Sequence, residues 1–150
     1  MKPKVYLASP LGFSEPGRLW SAQVLLPAII SADLEPADPW SKPGTELSGA
    51  PMTIDANMAI GRANEEMIRA SDAMLALLDG TEVDSGTAAE LGFAYAIGLP
   101  IVGLRTDFRI AIDNPAARAN IQLEFWIRES GGDIVASLDE ATAALVGLLT

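Results

Sequence analysis

Short apolar runs rich in strand-forming residues alternate along this chain with longer segments whose apolar residues recur at helical spacing. This alternation constrains the fold more than any other feature of the sequence. We predict strands at residues 4–9, 34–36, 72–78, 101–104 and 134–136. We predict helices at residues 17–32, 55–70, 85–97, 116–129 and 138–149. Such an order favours an α/β fold, a doubly wound five-stranded parallel sheet with helices on both faces.

The loops that follow the strands are the predicted place for a ligand, because doubly wound sheets bind ligands beyond the carboxyl ends of their strands. These loops cover residues 9–16, 38–51 and 79–86. The first strand is not followed by a G-x-G-x-x-G pattern, and the chain has no P-loop. Dinucleotide binding and phosphoryl transfer are therefore disfavoured.

The residue types that are missing narrow the chemistry further. The chain contains no histidine and no cysteine. This excludes a Ser–His or Cys–His nucleophile pair, an imidazole or thiolate metal site and a disulfide. The sequence also has no EF-hand loop, and we predict neither a metal nor a cofactor. Catalytic groups must then come from carboxylates, tyrosine, lysine or activated hydroxyls.

Length and charge indicate one domain and a small neutral ligand. The chain has the 150 residues of a typical single domain, and we treat residues 1–150 as one unit. Its formal net charge is −10 and its basic residues are scattered, which disfavours nucleic acid polymers and anionic membranes as partners. No apolar stretch is long enough to cross a bilayer and no secretory signal is recognisable, so we expect a cytoplasmic location.

The densest polar cluster of the chain joins the third predicted strand to the third predicted helix. It reads DGTEVDSGTAAE from Asp79 to Glu90. A helix that begins near Ser85 or Gly86 offers free backbone N–H groups and a positive dipole end, which stabilise a carboxylate. Glu90 would lie one turn inside this helix beside small apolar residues, where a buried charge is costly without a role or a partner.

A purely structural explanation of this segment stays open at this point. Thr87 and Glu90 match the S/T-x-x-E capping box, in which the glutamate only returns to the N–H of the cap residue. Asp84 or Ser85 could equally be a plain N-cap.

Two motifs resemble nucleoside 2-deoxyribosyltransferases. The first is YLASP from Tyr6 to Pro10, and the second is DSGTAAELGFA from Asp84 to Ala94. The resemblance spans most of the chain. Its most specific part is the aspartate followed six positions later by glutamate and then by Leu-Gly-aromatic-Ala. The fold that it implies is flavodoxin-like, in agreement with the order of the elements.

The resemblance also implies roles for individual residues. Glu90 takes the place of the nucleophile, Asp84 that of an aspartate holding a sugar hydroxyl, and Tyr6 that of a tyrosine positioning the nucleophile. Asn120 matches an asparagine that reaches the sugar pocket of an adjacent subunit, which implies a homo-oligomer with shared active sites. Without the resemblance, Tyr6 would be interpreted as a core aromatic and Asn120 as a solvated helix residue.

Four further residues are candidates for substrate binding, namely Phe13, Asn64, Asp79 and Gly86. Phe13 offers a stacking surface for a base, although an aromatic in a loop is as often packed under that loop. Asp79 and Gly86 belong to the polar segment described above.

Asn64 departs from the family pattern, because the family commonly has an aspartate there that contacts the nucleobase. Ile60, Asn64 and Ile68 fall on one side of the predicted helix, so we expect the amide to face inward. An amide can hydrogen-bond to a base edge, but it cannot act as an acid. The alternative is that the Asn64 amide has only a structural role and stabilises the helix.

The resemblance implies an enzyme that exchanges nucleobases on 2′-deoxyribonucleosides. The reaction would pass through a covalent deoxyribosyl–Glu90 intermediate, retain the configuration at C1′ and need no cofactor. Its partners would be a small deoxynucleoside and a free nucleobase. Two alternatives stay open: a 2′-deoxynucleoside 5′-monophosphate N-glycosidase, and a non-catalytic nucleotide-sensing module.

Overall fold

The computed structural model describes residues 1–41, 53–109 and 116–150. Five parallel strands form one sheet in the order β2-β1-β3-β4-β5. The strands are β1 (Lys4–Ala8), β2 (Glu35–Ala37), β3 (Ala73–Leu77), β4 (Ile101–Leu104) and β5 (Ile134–Val135). This is the strand order of flavodoxin-like sheets, so the predicted α/β class is confirmed. Each strand of the structure begins and ends within one residue of its predicted bounds.

Helices cover both faces of the sheet. The α-helices of the described residues are α1 (Glu15–Trp20), α2 (Leu26–Ser31), α3 (Ile54–Arg69), α4 (Ser85–Ala96), α5 (Ile121–Glu129) and α6 (Leu138–Leu149). Helices α1, α2 and α6 share one apolar core with the sheet, and α3, α4 and α5 share the other. Within the described part of the chain, no helix has the length and apolar character that a membrane span requires.

The side chains of β1 alternate between these two cores. Val5 and Leu7 pack in the core with α2 and α6, whereas Tyr6 and Ala8 pack in the core with α4 and α5. This is the period-two alternation of a strand that is buried on both faces. Tyr6 is fully buried, at 0% exposure, and points toward the face of the sheet on which α4 lies.

The helix predicted at 17–32 is present but interrupted. A π-helical segment, Ser21–Leu25, joins α1 to α2, and the N–H of Leu26 donates to the carbonyl of Ser21. Pro27 has no N–H, and in a regular α-helix its ring would clash with the carbonyl four residues earlier. The wider turn before the proline relieves that clash.

The helix predicted at 116–129 is wrong at its beginning, because α5 starts at Ile121. Asn120 is its N-cap, with a non-helical backbone and a side-chain oxygen that accepts the N–H of Gln122 at 3.0 Å. Asparagine favours this cap position because its short side chain satisfies a free N–H of the first turn. The loop predicted at 38–51 is described only as far as residue 41, and its remainder lies outside the described residues.

Candidate active site

A pocket of about 260 Å³ opens beyond the carboxyl ends of β1 and β2. Its walls come from the loops after these strands, from α3 and from the first two turns of α4. The residues that line it are Ser9, Phe13, Pro39, Trp40, Asn57, Ile60, Asn64, Gly86, Thr87 and Glu90. Since β1 lies between β2 and β3 in the sheet, this is the switch point at which doubly wound sheets bind ligands.

Glu90 is bonded to Tyr6 at this pocket. The hydroxyl of Tyr6 donates to Oε1 of Glu90 at 2.7 Å, across 84 residues of sequence. The amide nitrogen of Asn64 lies 3.5 Å from the same oxygen, which makes a long and weak contact. Oε2 of Glu90 receives no donor from the residues that the structure describes. One carboxylate oxygen is therefore held, while the other is available to a ligand.

The start of α4 decides between the two interpretations of this glutamate. The N-cap is Asp84, and its Oδ2 accepts the N–H of Thr87 at 3.0 Å and the Thr87 hydroxyl at 3.2 Å. Glu90 is the sixth residue of α4, beyond the turn in which a capping box operates. The capping-box alternative is thus wrong for Glu90, whereas the alternative that made Asp84 an N-cap is correct.

The Tyr6–Glu90 pair has perturbed acidity. Burial raises the pKa of Glu90, the hydrogen bond from Tyr6 lowers it in part, and the nearby charge of Asp84 raises it again. Burial also raises the pKa of Tyr6, and the adjacent Glu90 raises it further, so that the phenol keeps its proton and remains a donor. Such shifts are typical of functional sites in clefts.

The loops after β1 and β2 form an aromatic wall. The rings of Phe13 and Trp40 meet edge to face with centroids 4.6 Å apart, and Nε1 of Trp40 donates to the carbonyl of Ser9 at 3.0 Å. Gly12 makes this contact possible, because a Cβ there would lie 1.9 Å from the Trp40 ring. Phe13 remains 62% exposed, which leaves an apolar surface at the mouth of the pocket.

One side of α3 forms the facing wall. Asn57, Ile60 and Asn64 are spaced three and four residues apart, so they lie on one stripe of the helix. The amide of Asn64 faces inward as predicted. Asn57 was missed by the sequence analysis, although its seven-residue spacing from Asn64 is the signal that could have found it.

Asp79 is used elsewhere, in a set of contacts between the loops after β3 and β4. Its carboxylate accepts the N–H of Thr106 at 2.6 Å, the Thr106 hydroxyl at 2.6 Å and the N–H of Asp107 at 2.9 Å. In return, Asp107 accepts the N–H of Gly80 at 3.1 Å. The buried guanidinium of Arg105 donates to the carbonyls of Leu78 and Gly80.

We call Asp79, Gly80, Arg105, Thr106 and Asp107 the loop clasp. It fixes the first residues of the loop whose far end carries Asp84 and α4. Its carboxylates accept hydrogen bonds from backbone N–H groups, from the Thr106 hydroxyl and from the guanidinium of Arg109. Among the described residues, no group of histidine, cysteine or acidic side chains is arranged to hold a metal ion.

The structure thus brings together most of the predicted site residues. Glu90, Asn64, Phe13 and Gly86 line the pocket, and Tyr6 is bonded to Glu90. Asp84 borders it at the start of α4, and a Cβ at Gly86 would lie 3.2 Å from Oδ2 of this aspartate. Asp79 and Asn120 do not line the pocket, since the first belongs to the loop clasp and the second caps α5.

A doubly wound sheet with a tyrosine-bonded carboxylate at its switch point defines a flavodoxin-like α/β protein whose pocket contains a partly buried glutamate. A sequence profile of the family described as nucleoside 2-deoxyribosyltransferase matches residues 5–142. The chain belongs to this family of nucleoside-modifying enzymes, which act on N-glycosidic bonds. No curated protein matches the chain in sequence at a significant level.

Solved structures agree with this assignment. A conserved protein from Enterococcus faecalis V583 is 26% identical, with a TM-score of 0.78 and full coverage of both chains. The 2-desoxiribosyltransferase from Leishmania mexicana is 25% identical, with a TM-score of 0.72 over 97% of each chain. The CMP N-glycosidase BcmB from Clostridium botulinum is 18% identical, with a TM-score of 0.53 over 98% of this chain and 99% of its own. At that identity it shows only a shared fold.

Proposed function

We propose that the protein is a nucleoside 2-deoxyribosyltransferase in which Glu90 is the nucleophile. The observation that carries this proposal is the 2.7 Å hydrogen bond from Tyr6 to Oε1 of Glu90, a residue that lines the pocket and whose Oε2 receives no donor from the described residues. A carboxylate held at one oxygen and open at the other is suited to attack an electrophilic carbon. The similarity to the 2-desoxiribosyltransferase from Leishmania mexicana supports the same reaction.

The proposed reaction is a double displacement. Oε2 of Glu90 attacks C1′ of the donor on the face opposite the base, the C1′–N bond breaks, and its electron pair leaves with the base nitrogen. A deoxyribosyl ester of Glu90 results. A nitrogen of the second base then attacks C1′, the carboxylate departs, and the incoming base loses a proton to solvent. Two inversions retain the configuration, as in retaining glycosidases.

Burial of Glu90 favours this chemistry. Desolvation raises its pKa because little water stabilises the carboxylate. Positive charge that develops on the sugar in the transition state can compensate for that missing hydration, so the carboxylate stabilises an oxocarbenium-like state more than the ground state. The Tyr6 proton fixes the orientation of the carboxylate during both steps.

Asp84 is the proposed partner of a sugar hydroxyl. Both donors from Thr87 reach Oδ2, and Oδ1 receives no hydrogen bond from the described residues. The charge of Asp84 also raises the pKa of Glu90, which supports a role for this aspartate near the proposed nucleophile. An acceptor there suits a hydroxyl of the deoxyribose.

The remaining walls suit a neutral base. Phe13 and Trp40 supply an aromatic surface, and Asn64 supplies an amide near Glu90. Since an amide cannot donate a full proton, departure of the base does not use an acid at position 64. The net charge of −10 is also better suited to a neutral nucleoside than to a phosphorylated one.

A second candidate is an N-glycosidase that hydrolyses 2′-deoxynucleoside 5′-monophosphates. The position of Arg18 is the observation that favours it. The exposed Arg18 donates to the carbonyl of Gly12 at 2.9 Å, directly before the pocket residue Phe13. A guanidinium on that loop could bind a phosphate group.

A base-exchange assay with chromatographic detection tests the proposal. The donors are 2′-deoxyinosine, thymidine and their 5′-monophosphates, and the acceptors are adenine and cytosine. We expect new deoxynucleoside at the expense of the donor, no turnover by Glu90→Ala, and full turnover by Glu82→Ala, an exposed glutamate of the same segment. Free base without exchange, strongest with monophosphates, would favour the glycosidase. Ligand binding without any product would favour a sensing module.

A further inference from the structure

Thr87 adjoins both of the carboxylates that the proposed function uses. It lies three residues after Asp84 and three residues before Glu90, and residues at this spacing are neighbours at the surface of a helix. The side chain is buried, with 1% of the residue exposed, and it lines the pocket together with Glu90. A buried hydroxyl in this place needs a partner, and the partner is Asp84.

The two carboxylates are held in the same manner. The Tyr6 hydroxyl donates to Oε1 of Glu90 at 2.7 Å, and the Thr87 hydroxyl donates to Oδ2 of Asp84 at 3.2 Å. The N–H of Thr87 reaches the same Oδ2 at 3.0 Å. An aspartate N-cap needs only that backbone bond, so the bond from the hydroxyl is additional to capping. Two donors on one oxygen restrict the rotation of the carboxylate.

We propose that Thr87 is a positioning residue whose hydroxyl holds Oδ2 of Asp84, so that Oδ1 is ready to accept a hydroxyl of the deoxyribose. The inference rests on the proposed function, in which Asp84 binds the sugar and Glu90 attacks C1′. A carboxylate whose rotation is already restricted loses less freedom when the sugar binds, and this strengthens binding. Thr87 thus does for Asp84 what Tyr6 does for Glu90.

Two substitutions of Thr87 test the proposal through kcat and KM for base exchange with 2′-deoxyinosine. Thr87→Val removes the hydroxyl but keeps the branched side chain and the backbone N–H that caps α4. We expect kcat/KM to fall about three- to tenfold, the effect of one lost hydrogen bond, mainly through a higher KM. Thr87→Ser keeps a hydroxyl and should restore most of the loss. No loss in Thr87→Val, or an equal loss in Thr87→Ser, would overturn the proposal.

Thr142→Val is the matched control. The Thr142 hydroxyl donates to the carbonyl of Asp139 at 3.0 Å in the first turn of α6, which packs in the other core. This substitution also removes one hydroxyl hydrogen bond at the start of a helix. It should leave kcat and KM for 2′-deoxyinosine unchanged.

Donors that lack one sugar hydroxyl distinguish positioning from a general distortion of α4. The donors are 2′-deoxyinosine, 2′,3′-dideoxyinosine and 2′,5′-dideoxyinosine. At least one dideoxy donor lacks the hydroxyl that Asp84 binds, so with that donor Thr87→Val should react as well as the wild-type protein. An equal fold-loss with all three donors would contradict a role through the sugar contact.

Binding of the same three nucleosides to Glu90→Gln and to Glu90→Gln/Thr87→Val separates the failure of this inference from that of the proposed function. If the wild-type protein turns over no donor but the second substitution weakens 2′-deoxyinosine and spares one dideoxy analogue, only the proposed function fails. If exchange occurs and Thr87→Val matches the wild-type protein with every donor, only the role of Thr87 fails. Absence of both turnover and binding would overturn both.

Discussion

At the scale of single residues, the hydrogen bond between Tyr6 and Glu90 gives each of these two buried side chains the partner that it needs. A phenol at 0% exposure needs a hydrogen-bond partner, and a desolvated carboxylate needs a donor. The hydrogen bond of 2.7 Å satisfies both groups and fixes one oxygen of the carboxylate. The stability of the buried Glu90 carboxylate therefore depends on its hydrogen bond with Tyr6. Removal of this bond should change the pKa of Glu90, which can be measured.

The first prediction concerns Tyr6→Phe and the pH dependence of kcat/KM. Attack on C1′ needs ionised Glu90, so activity is lost as pH falls through the raised pKa of this carboxylate. The Tyr6 donor lowers that pKa, so its removal should move the acid limb to higher pH. We expect kcat to fall about 10- to 100-fold, the effect of a lost hydrogen bond to a charged group. The measurement is a pH–rate profile of both proteins.

Tyr95→Phe is the control for this experiment. Tyr95 stacks on Trp126 at 5.9 Å on the same face of the sheet, but it does not line the pocket. Its loss should leave the acid limb in place. An acid limb that does not move in Tyr6→Phe would contradict the role given to the Tyr6 hydroxyl.

At the scale of elements, the loop clasp connects the sheet to the site. β3 and α4 are joined by residues 78–84, and this connection begins in the clasp and ends at Asp84. Asp79 and Asp107 each bind the backbone of the other's loop, and Arg105 binds carbonyls on either side of Asp79. The position of the α4 N-terminus thus depends on the loop clasp, whose contacts lie between the loops after β3 and β4 and not in the pocket.

The second prediction follows from the clasp. Asp79→Ala leaves the N–H groups of Thr106 and Asp107 without their acceptor, and should lower the free energy of unfolding by about 1–2 kcal/mol. Because the loop to Asp84 loosens, KM for the donor should rise more than kcat falls. Thermal unfolding and steady-state kinetics measure the two effects. Glu82→Ala, exposed in the same loop, should change neither, and an unchanged KM in Asp79→Ala would refute the positioning role.

Local sequence patterns predicted the elements because strand and helix periods are local properties. All five strands were found within one residue of their predicted bounds, and four of them are short apolar runs bounded by polar or turn residues, whereas β2 has the sequence Glu-Pro-Ala. The interrupted first helix and the late start of α5 were missed. Pro27 and Asn120 act on the geometry of a single turn, which a periodicity averaged over many residues does not detect.

Contacts between residues that are far apart in the sequence limit how much of the site can be predicted from local patterns. The resemblance gave Glu90, Tyr6 and Asp84 as candidates, but the bond between Tyr6 and Glu90 joins residues 84 positions apart. The partners of Asp79 lie 27 and 28 positions away, and no local pattern separates this clasp residue from a ligand-binding aspartate. Only the packed sheet, in which β1, β3 and β4 are neighbours, brings these groups together.

At the scale of the whole molecule, we propose an assembly in which Asn120 of one subunit completes the pocket of the next. Asn120 begins α5, and Ile121 and Phe125 follow on the same helix with 53% and 50% of their surface exposed. Apolar residues one turn apart on an exposed helix face suit a contact with a second copy.

A complementation experiment tests this third prediction. Asn120→Ser keeps a favourable N-cap but shortens the side chain, so each homomer of this variant should lose activity without unfolding. Glu90→Gln should be inactive as well. Co-assembled subunits of the two variants should regain activity, because an intact Glu90 then meets an intact Asn120 from its neighbour. Light scattering gives the oligomeric state, and a monomer or a mixture as inactive as its parts would rule out the shared site.

The central claim, a covalent deoxyribosyl–Glu90 intermediate, is tested most directly by mass spectrometry of protein quenched with acid during turnover of 2′-deoxyinosine. We predict that a fraction of the protein gains the mass of one deoxyribosyl group, and that fragmentation assigns this group to the peptide containing Glu90. Addition of a free base before quenching should remove the label, and Glu90→Gln should never acquire it. Base exchange that proceeds without labelled protein, or a label on another residue, would contradict the account.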